Sequence, residues 1–291
     1  MPSFIDANTT VGPVTLSVDD LARSLEYYQQ HIGLAVLEHS AGVATLGVGM
    51  RALLRLHEQR GARLVRRATG LYHIALLVPS RGDLAQAIRH FAEHRTTIDG
   101  AADHLFSEAL YLSDPDGHGI EIYHDRPRSD WHDINGQMPL VSDPLDIDGI
   151  LAELDETRVW NGLPAGTING HIHLQVADIA AAERFYTEVL GFERMIRMSS
   201  ASFVSAGGYH HHIGMNTWAG VGVPPAPANT ARLLQYELLL PTAVALDAVL
   251  ERLRAANIAL EQQGEGWAVQ DPSSITVVLR VAHPGEADSD V

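Results

Sequence analysis

Apolar and polar residues alternate in several short segments of the chain, a pattern that predicts strands with one buried face. In residues 171–176 the apolar face takes every second residue, which leaves His171 and His173 on the opposite side. Residues 72–79 show the same alternation, with His73 on the polar side. Helical periodicity follows each of these segments, so the pattern predicts an α+β fold.

The segment from Gly12 to Leu34 repeats without a gap in the segment from Gly170 to Phe192. Each copy begins with a strand pattern, after which an aspartate, Asp20 or Asp178, stands where a helix N-cap belongs. A helix of about three turns follows, and a glycine suited to the end of a helix closes it. The chain is therefore expected to contain repeated structural units.

Two weaker copies start near Tyr72 and Gln235, so a unit of one strand, one helix and about three more strands occurs four times. We expect these βαβββ modules near residues 11–58, 70–125, 168–218 and 232–282. The predicted domains are tandem modules 1 and 2 over 11–125, a connecting segment over 126–166, and tandem modules 3 and 4 over 167–282. A helix is expected near Ile147–Leu154, and Ala219–Ala231 is expected to be a loop because it is rich in Pro, Gly and Ala.

Composition excludes several classes of function. The formal net charge is −16, which argues against a general nucleic-acid or anionic-membrane surface. The chain has 16 histidines and no cysteine, so a metal site must use imidazole nitrogen and carboxylate oxygen. No segment has the roughly 18 consecutive apolar residues of a membrane span, and the first residues lack the pattern of a signal peptide. We expect a cytoplasmic protein, and the sequence leaves open whether it forms a homo-oligomer.

Three residues at equivalent or facing positions could share a metal ion. His73 and His171 occupy the same place in modules 2 and 3, and Glu121 points away from the apolar face of the last strand of module 2. Two histidines and one carboxylate are the ligands of a mononuclear non-haem Fe(II) site, with Mn(II) as the alternative. The competing interpretation is that all three are ordinary polar residues of a sheet. Modules 1 and 4 lack these residues, so the site is expected between modules 2 and 3.

The repeat, together with the motifs FYTEVLGF and DPDGHGIEIY, resembles the vicinal oxygen chelate superfamily, also called the glyoxalase/bleomycin resistance/dioxygenase superfamily. More narrowly, the chain is similar to type I extradiol dioxygenases, the group that includes catechol 2,3-dioxygenases. This resemblance implies four βαβββ modules paired into two half-barrel domains. It also implies that His73, His171 and Glu121 bind Fe(II), and that a catechol-type compound and O₂ are the substrates in aromatic degradation.

The same resemblance implies roles for other residues. Members of the group carry a tyrosine ten residues before the ligand glutamate, which is Tyr111 here, and a histidine upstream of it, for which His104 is the candidate. They also carry a His-His pair whose second member is the acid/base, and His212 matches it best. We predict three substrate-binding residues around this centre, namely His173, His211 and Asn216.

In one respect the chain departs from the group, whose complete site usually comes from modules 3 and 4. Here modules 2 and 3 would have to pair, leaving modules 1 and 4 to pair with each other. Two alternatives to the dioxygenase therefore stay open. One is a glyoxalase- or epimerase-like metalloenzyme in which His212 is a fourth ligand. The other is a metal-free, drug-sequestering binding module of the same fold.

Overall fold

The structure is a computed structural model that describes residues 4–131, 138 and 141–286. It consists of four consecutive βαβββ modules. Module 1 contains β1 (Thr10–Val18), α1 (Leu21–Tyr27), β2 (Ala35–Ser40), β3 (Val43–Val48) and β4 (Arg51–Glu58); module 2 contains β5 (Gly70–Leu77), α2 (Arg81–Glu93), β6 (Gly100–Asp103), β7 (Ser107–Ser113) and β8 (Gly119–Asp125). The short helix α3 (Ile147–Leu151) follows.

Modules 3 and 4 repeat this order. Module 3 contains β9 (Ile168–Gln175), α4 (Ile179–Arg184), β10 (Glu193–Arg197), β11 (Ala201–Ser205) and β12 (Ile213–Asn216); module 4 contains β13 (Arg232–Leu240), α5 (Ala243–Ala255), β14 (Glu261–Gln263), β15 (Gly266–Gln270) and β16 (Thr276–Val281). Residues 219–231 contain no helix or strand, as their composition predicts. Within the described residues, no helix is long and apolar enough to cross a membrane.

The helices of modules 1 and 3 begin and end as the repeat predicts. The side chain of Asp20 accepts a hydrogen bond from the backbone N–H of Arg23, and Asp178 does the same at the start of α4. Each helix then widens into a π-helical last turn, at Tyr28–Ile32 in module 1. Gly33 ends this turn with φ +86° and thereby supplies the left-handed conformation that glycine adopts at least cost.

The strands form two eight-stranded sheets, in the orders β14-β15-β16-β13-β1-β4-β3-β2 and β10-β11-β12-β9-β5-β8-β7-β6. Modules 1 and 4 thus share one sheet, and modules 2 and 3 share the other. The first strands of paired modules meet antiparallel, while the first and last strands of one module run parallel. The predicted fold class, βαβββ modules paired into two half-barrels, is confirmed. The domain limits at residues 126 and 166 stay a prediction.

Apolar residues facing the helices form one large buried core that includes Ile74, Leu76, Ile172 and Leu174. The two sheets are also joined by buried hydrogen bonds between modules that are neighbours in sequence. The hydroxyl of Tyr28 donates to Asp114 at 3.0 Å, and in the other half Tyr186 donates to Asp271 at 3.2 Å. The core thus occupies one face of each sheet, which leaves the opposite face of the second sheet for polar side chains.

Candidate metal centre

Three strands at the centre of the second sheet bring His73, Glu121 and His171 together. Strand β5 runs antiparallel to β9 and parallel to β8, so residues from modules 2 and 3 lie side by side. One side-chain atom from each of the three residues lies within 4.8 Å of the others. All three side chains are buried. The structure therefore brings the three sequence candidates to one point.

The geometry of this cluster fits a metal ion better than a closed hydrogen-bond network. Nε2 of His73 lies 2.9 Å from Oε2 of Glu121, yet this buried nitrogen makes no hydrogen bond. Nε2 of His171 approaches the same oxygen at 3.1 Å. Burial on its own raises the pKa of Glu121, but the two histidines outweigh it, and the pKa lies well below its usual range. A carboxylate and two imidazole nitrogens that converge in this way are a donor set for a divalent transition metal.

In the sheet of modules 1 and 4 the equivalent region is filled by an ion-pair network. Glu237 is buried and contacts the guanidinium groups of both Arg55 and Arg280, the latter at 2.6 Å. Arg280 also pairs with Glu286 at 2.7 Å. The charges there are already compensated, so this half of the protein presents no comparable set of free metal ligands among its described residues.

Tyr111 and His104 lie next to the cluster. Tyr111 is the direct cross-strand partner of Glu121, which explains their separation of ten residues in sequence. Its ring lies 5.7 Å from that of His73. Nδ1 of His104 donates to the carbonyl of Val141 at 2.7 Å, so its Nε2 is left to accept from the Tyr111 hydroxyl at 2.8 Å. Burial raises the pKa of Tyr111, so the phenol stays neutral.

His173 and Asn216 form a fixed pair beside the cluster. The rings of His73 and His173 are 5.0 Å apart, because the two residues are direct partners across β5 and β9. The amide of Asn216 donates to Nε2 of His173 at 3.1 Å, and its own oxygen accepts from the N–H of Trp218. Asn216 is fully buried, so it positions His173 and exposes no surface to a ligand.

A cavity of about 600 Å³ reaches the cluster from solvent, and His73 and Tyr111 are part of its wall. Tyr72 and Trp218 stand at its mouth, 39% and 51% exposed, with ring centroids 5.0 Å apart. Strand alternation would place Tyr72 on the face opposite His73. The pairing of β5 with β9 slips between Leu71 and His73, and an irregularity of this kind re-aims a side chain. Sequence analysis missed Tyr72 for this reason.

The histidine run divides between two environments. The ring of His211 lies 4.2 Å from that of His171. Nδ1 of His212 instead accepts from the backbone N–H of Ala206 at 3.2 Å and lies 3.0 Å from the Ser205 hydroxyl, and its ring packs against Tyr209. Among the described residues, the structure therefore brings His211, and not His212, into contact with the candidate ligands.

The assignment of His212 as the acid/base depended on matching the His-His pair of the group that the sequence resembles. The chain enters β12 through Gly207 and Gly208, which have φ +60° and +71°, and residues 209–212 belong to no strand. Alternation does not hold in such a segment. In the adjacent strand β12, Ile213 and Met215 do follow the alternation, and both side chains are buried in the core.

The family described as "Glyoxalase/Bleomycin resistance protein/Dioxygenase superfamily" matches residues 10–122 and 169–268. The chain is 45% identical over 284 residues to the catechol-2,3-dioxygenase of Bacillus subtilis (strain 168), which covers 94% of this chain and 99% of that protein. It is 27% identical over 120 residues to the lactoylglutathione lyase of Escherichia coli O157:H7, which covers 38% of this chain and 89% of that protein.

Among solved structures, glyoxalase I from Zea mays has a TM-score of 0.57 at 16% identity and covers 94% of this chain and 92% of its own. This similarity concerns the fold alone. The similarity to the Bacillus subtilis protein extends over nearly the whole of both chains and confirms the prediction that the chain is an enzyme of the dioxygenase type. By family match and by sequence identity, the chain belongs to the glyoxalase/bleomycin resistance protein/dioxygenase superfamily.

Proposed function

We propose that this enzyme cleaves the ring of a catechol-type compound beside its two hydroxyl groups, with O₂ as co-substrate and Fe(II) as the metal. The observation that carries the proposal is the convergence of His73, Glu121 and His171 beside a solvent-connected cavity whose wall includes His73. Two histidines and one carboxylate typically leave metal positions open for substrate and O₂. The relative named a catechol-2,3-dioxygenase supports the same chemistry.

In this proposal, His73, His171 and Glu121 hold the metal. The bound metal would supply a template for both oxygens of the diol and a sink for the charge of the deprotonated substrate. The carboxylate of Glu121 supplies one negative charge at a site whose other two ligands are imidazole rings. Mn(II) accepts the same ligands, so the identity of the metal belongs to the proposal and not to the geometry.

His211 takes the acid/base role in this proposal. Its ring is adjacent to the ligand His171 at 4.2 Å and also contacts Phe203 at 5.0 Å. Burial, and then the nearby His171, lowers the pKa of His211 well below its usual value, so the ring is neutral near pH 7. A neutral imidazole beside the diol can accept one of its protons and return it later.

Tyr111 and His104 would orient the substrate. His104 is anchored through Val141 and accepts a hydrogen bond from the Tyr111 hydroxyl, so the lone pairs of the phenol oxygen face a fixed direction. At the mouth, the faces of Tyr72 and Trp218 offer an aromatic surface for a planar ring. Aromatic walls and a few fixed polar groups are typical of a small-molecule site.

The test uses protein loaded anaerobically with Fe(II) and a panel of substituted catechols in an oxygen electrode. We expect O₂ uptake equal to the catechol consumed, and loss of bound iron in His73→Ala, His171→Ala and Glu121→Ala. His39→Ala, a change of an exposed histidine on β2, is the matched control and keeps its iron. Iron-loaded protein that consumes no O₂ with any catechol would refute the proposal. Full metal occupancy in one variant would remove that residue from the ligand set.

A further inference from the structure

A continuous series of hydrogen bonds leads from His211, away from the three candidate metal ligands, to Asp125 at the end of β8. Nδ1 of His211 lies 2.9 Å from Nδ1 of His210, and Nε2 of His210 lies 2.8 Å from Oδ1 of Asp125. The other carboxylate oxygen accepts from the hydroxyl of Tyr209 at 2.7 Å. These hydrogen bonds can therefore determine which ring nitrogen of His211, the acid/base proposed above, carries its proton.

The polarity of this series follows from the carboxylate at its end. An ionised carboxylate can only accept, so Nε2 of His210 must carry the proton that it donates to Asp125. In a neutral ring this leaves Nδ1 of His210 as an acceptor. Nδ1 of His211 must then be the donor to it. By elimination, Nε2 of a neutral His211 carries no proton.

We propose that Asp125 and His210 are positioning residues that fix His211 in the Nδ1–H tautomer and leave its Nε2 free to take a proton from the substrate. The proposal rests on the function proposed for His211 and extends it to two residues that make no hydrogen bond to any of the three proposed metal ligands. When one ring nitrogen of a histidine is held in a hydrogen bond of fixed direction, the ring keeps one tautomer and one orientation. The reverse tautomer would present an N–H where a proton acceptor is needed.

The packing around His210 prevents its ring from turning to another partner. The side chain is fully buried. It stacks on Phe106 at 4.6 Å, lies 4.0 Å from Tyr209 and meets the edge of Trp131 at 5.2 Å. His210 is therefore enclosed on several sides by aromatic rings, and the bond to Asp125 selects the nitrogen that carries its proton.

The first measurement reads the tautomer directly and needs no turnover. Full-length apoprotein with ¹⁵N-labelled histidine is compared with Asp125→Asn and His210→Phe by two-bond ¹H–¹⁵N correlation spectra of the imidazole rings. We expect His211 of the unmodified protein in the Nδ1–H form, and a mixture of tautomers in both variants. Asparagine can donate as well as accept, so it no longer dictates the proton on His210. Tyr209→Phe is the matched control, since it removes the other partner of Asp125 and keeps the histidine chain.

The second measurement follows catalysis by the iron-loaded protein. In Asp125→Asn we expect kcat to fall by about 10–100-fold or more, 10–100-fold being typical for the loss of an outer hydrogen-bond partner at a metal site, with KM and iron content unchanged. Asp125→Glu should recover part of the loss, and Tyr209→Phe should remain within about threefold of the unmodified enzyme. A merely structural role would lower stability without separating kcat from KM.

The outcomes separate this proposal from the proposed function. An Nε2–H tautomer of His211 in the unmodified protein, or the same tautomer in all variants, overturns the positioning role whatever the activity is. If no catechol is cleaved but the variants change the tautomer as expected, the hydrogen-bond assignment holds and the ring-cleavage function fails. Should Asp125→Asn not fold, His210→Phe, whose ring can keep the stack with Phe106, provides the decisive spectrum.

Discussion

Replacing His212 with glutamine should change how the stability of the protein depends on pH. Burial lowers the pKa of His212 from the ordinary value of 6.5 to about 3. The local geometry explains why the cation is excluded, since Nδ1 of this ring already accepts from the N–H of Ala206. A proton on that nitrogen would point at a donor. The folded protein therefore keeps His212 neutral, whereas the unfolded chain protonates it freely.

The sign and size of the effect follow from these two pKa values. Because the folded pKa is the lower one, the folded state binds fewer protons, and stability that is fully present above pH 6.5 is lost as the pH falls towards 3. At pH 5 the loss due to this residue is about 2 kcal/mol, from about 1.5 pH units at 1.36 kcal/mol each. His212→Gln removes this term, so its stability deficit relative to the unmodified protein should shrink by about 2 kcal/mol between pH 7.5 and pH 5.

The assay is urea unfolding of both proteins at several pH values between 5 and 7.5. Ser205→Ala serves as the matched control, because it removes the hydroxyl 3.0 Å from Nδ1 of His212 and keeps the titrating ring. Its deficit, about 1 kcal/mol, should be the same at every pH. If the deficit of His212→Gln is also independent of pH, then folding does not lower the pKa of His212. In that case burial would no longer be a reason to exclude His212 as the acid/base.

Three further outcomes are expected. His211→Gln should keep its iron and bind catechol but lose about 10²–10⁴-fold in kcat, whereas His212→Gln should keep most of its kcat; the reverse result would restore His212 as the acid/base. Glu237→Gln should lower the free energy of unfolding by about 3–5 kcal/mol because it removes the buried carboxylate that pairs with the buried Arg280 and the part-exposed Arg55; Arg60→Ala, at an exposed ion pair, should cost about 0–1 kcal/mol in the same urea assay. The double variant Tyr111→Phe/His104→Gln should lose less activation free energy, measured from kcat/KM, than the sum of the losses in the two single variants. The reason is that the two side chains share one hydrogen bond.

Local patterns in the sequence were enough to place the modules and the cluster. Alternation within β5 and β9 depends only on the backbone geometry of a strand. It therefore puts His73 and His171 on the polar face whichever strands are their neighbours in the sheet. The separation of Tyr111 and Glu121 similarly reflects their direct pairing in one hairpin. The fold class followed from the repeat, because each module buries its apolar face in the same way.

Features that depend on irregular backbone or on distant contacts could not be predicted. Regular alternation ends before β12, so no periodic argument could separate His211 from His212. The partner of His210 is Asp125, which is 85 residues away and belongs to another module. Nothing local to either residue indicates this contact, which exists only because β9 pairs with β5. Local sequence therefore indicates which faces of the strands carry the candidate ligands. The contacts of His210 and His211 with their neighbours depend on which strands pair, and local sequence does not indicate this.

The two half-barrels show why duplication of the fold does not duplicate the metal centre. Thr15 pairs with Arg55 in the first sheet just as Ala75 pairs with Glu121 in the second, so a guanidinium stands at the position of the ligand carboxylate. A fixed positive charge there repels a cation, and Glu237 compensates it without leaving a free oxygen. In the described part of the chain, His73, Glu121 and His171 are the one such cluster of potential ligands. At this position the first half-barrel therefore carries a compensated ion-pair network, whereas the second carries three donors that could bind a metal.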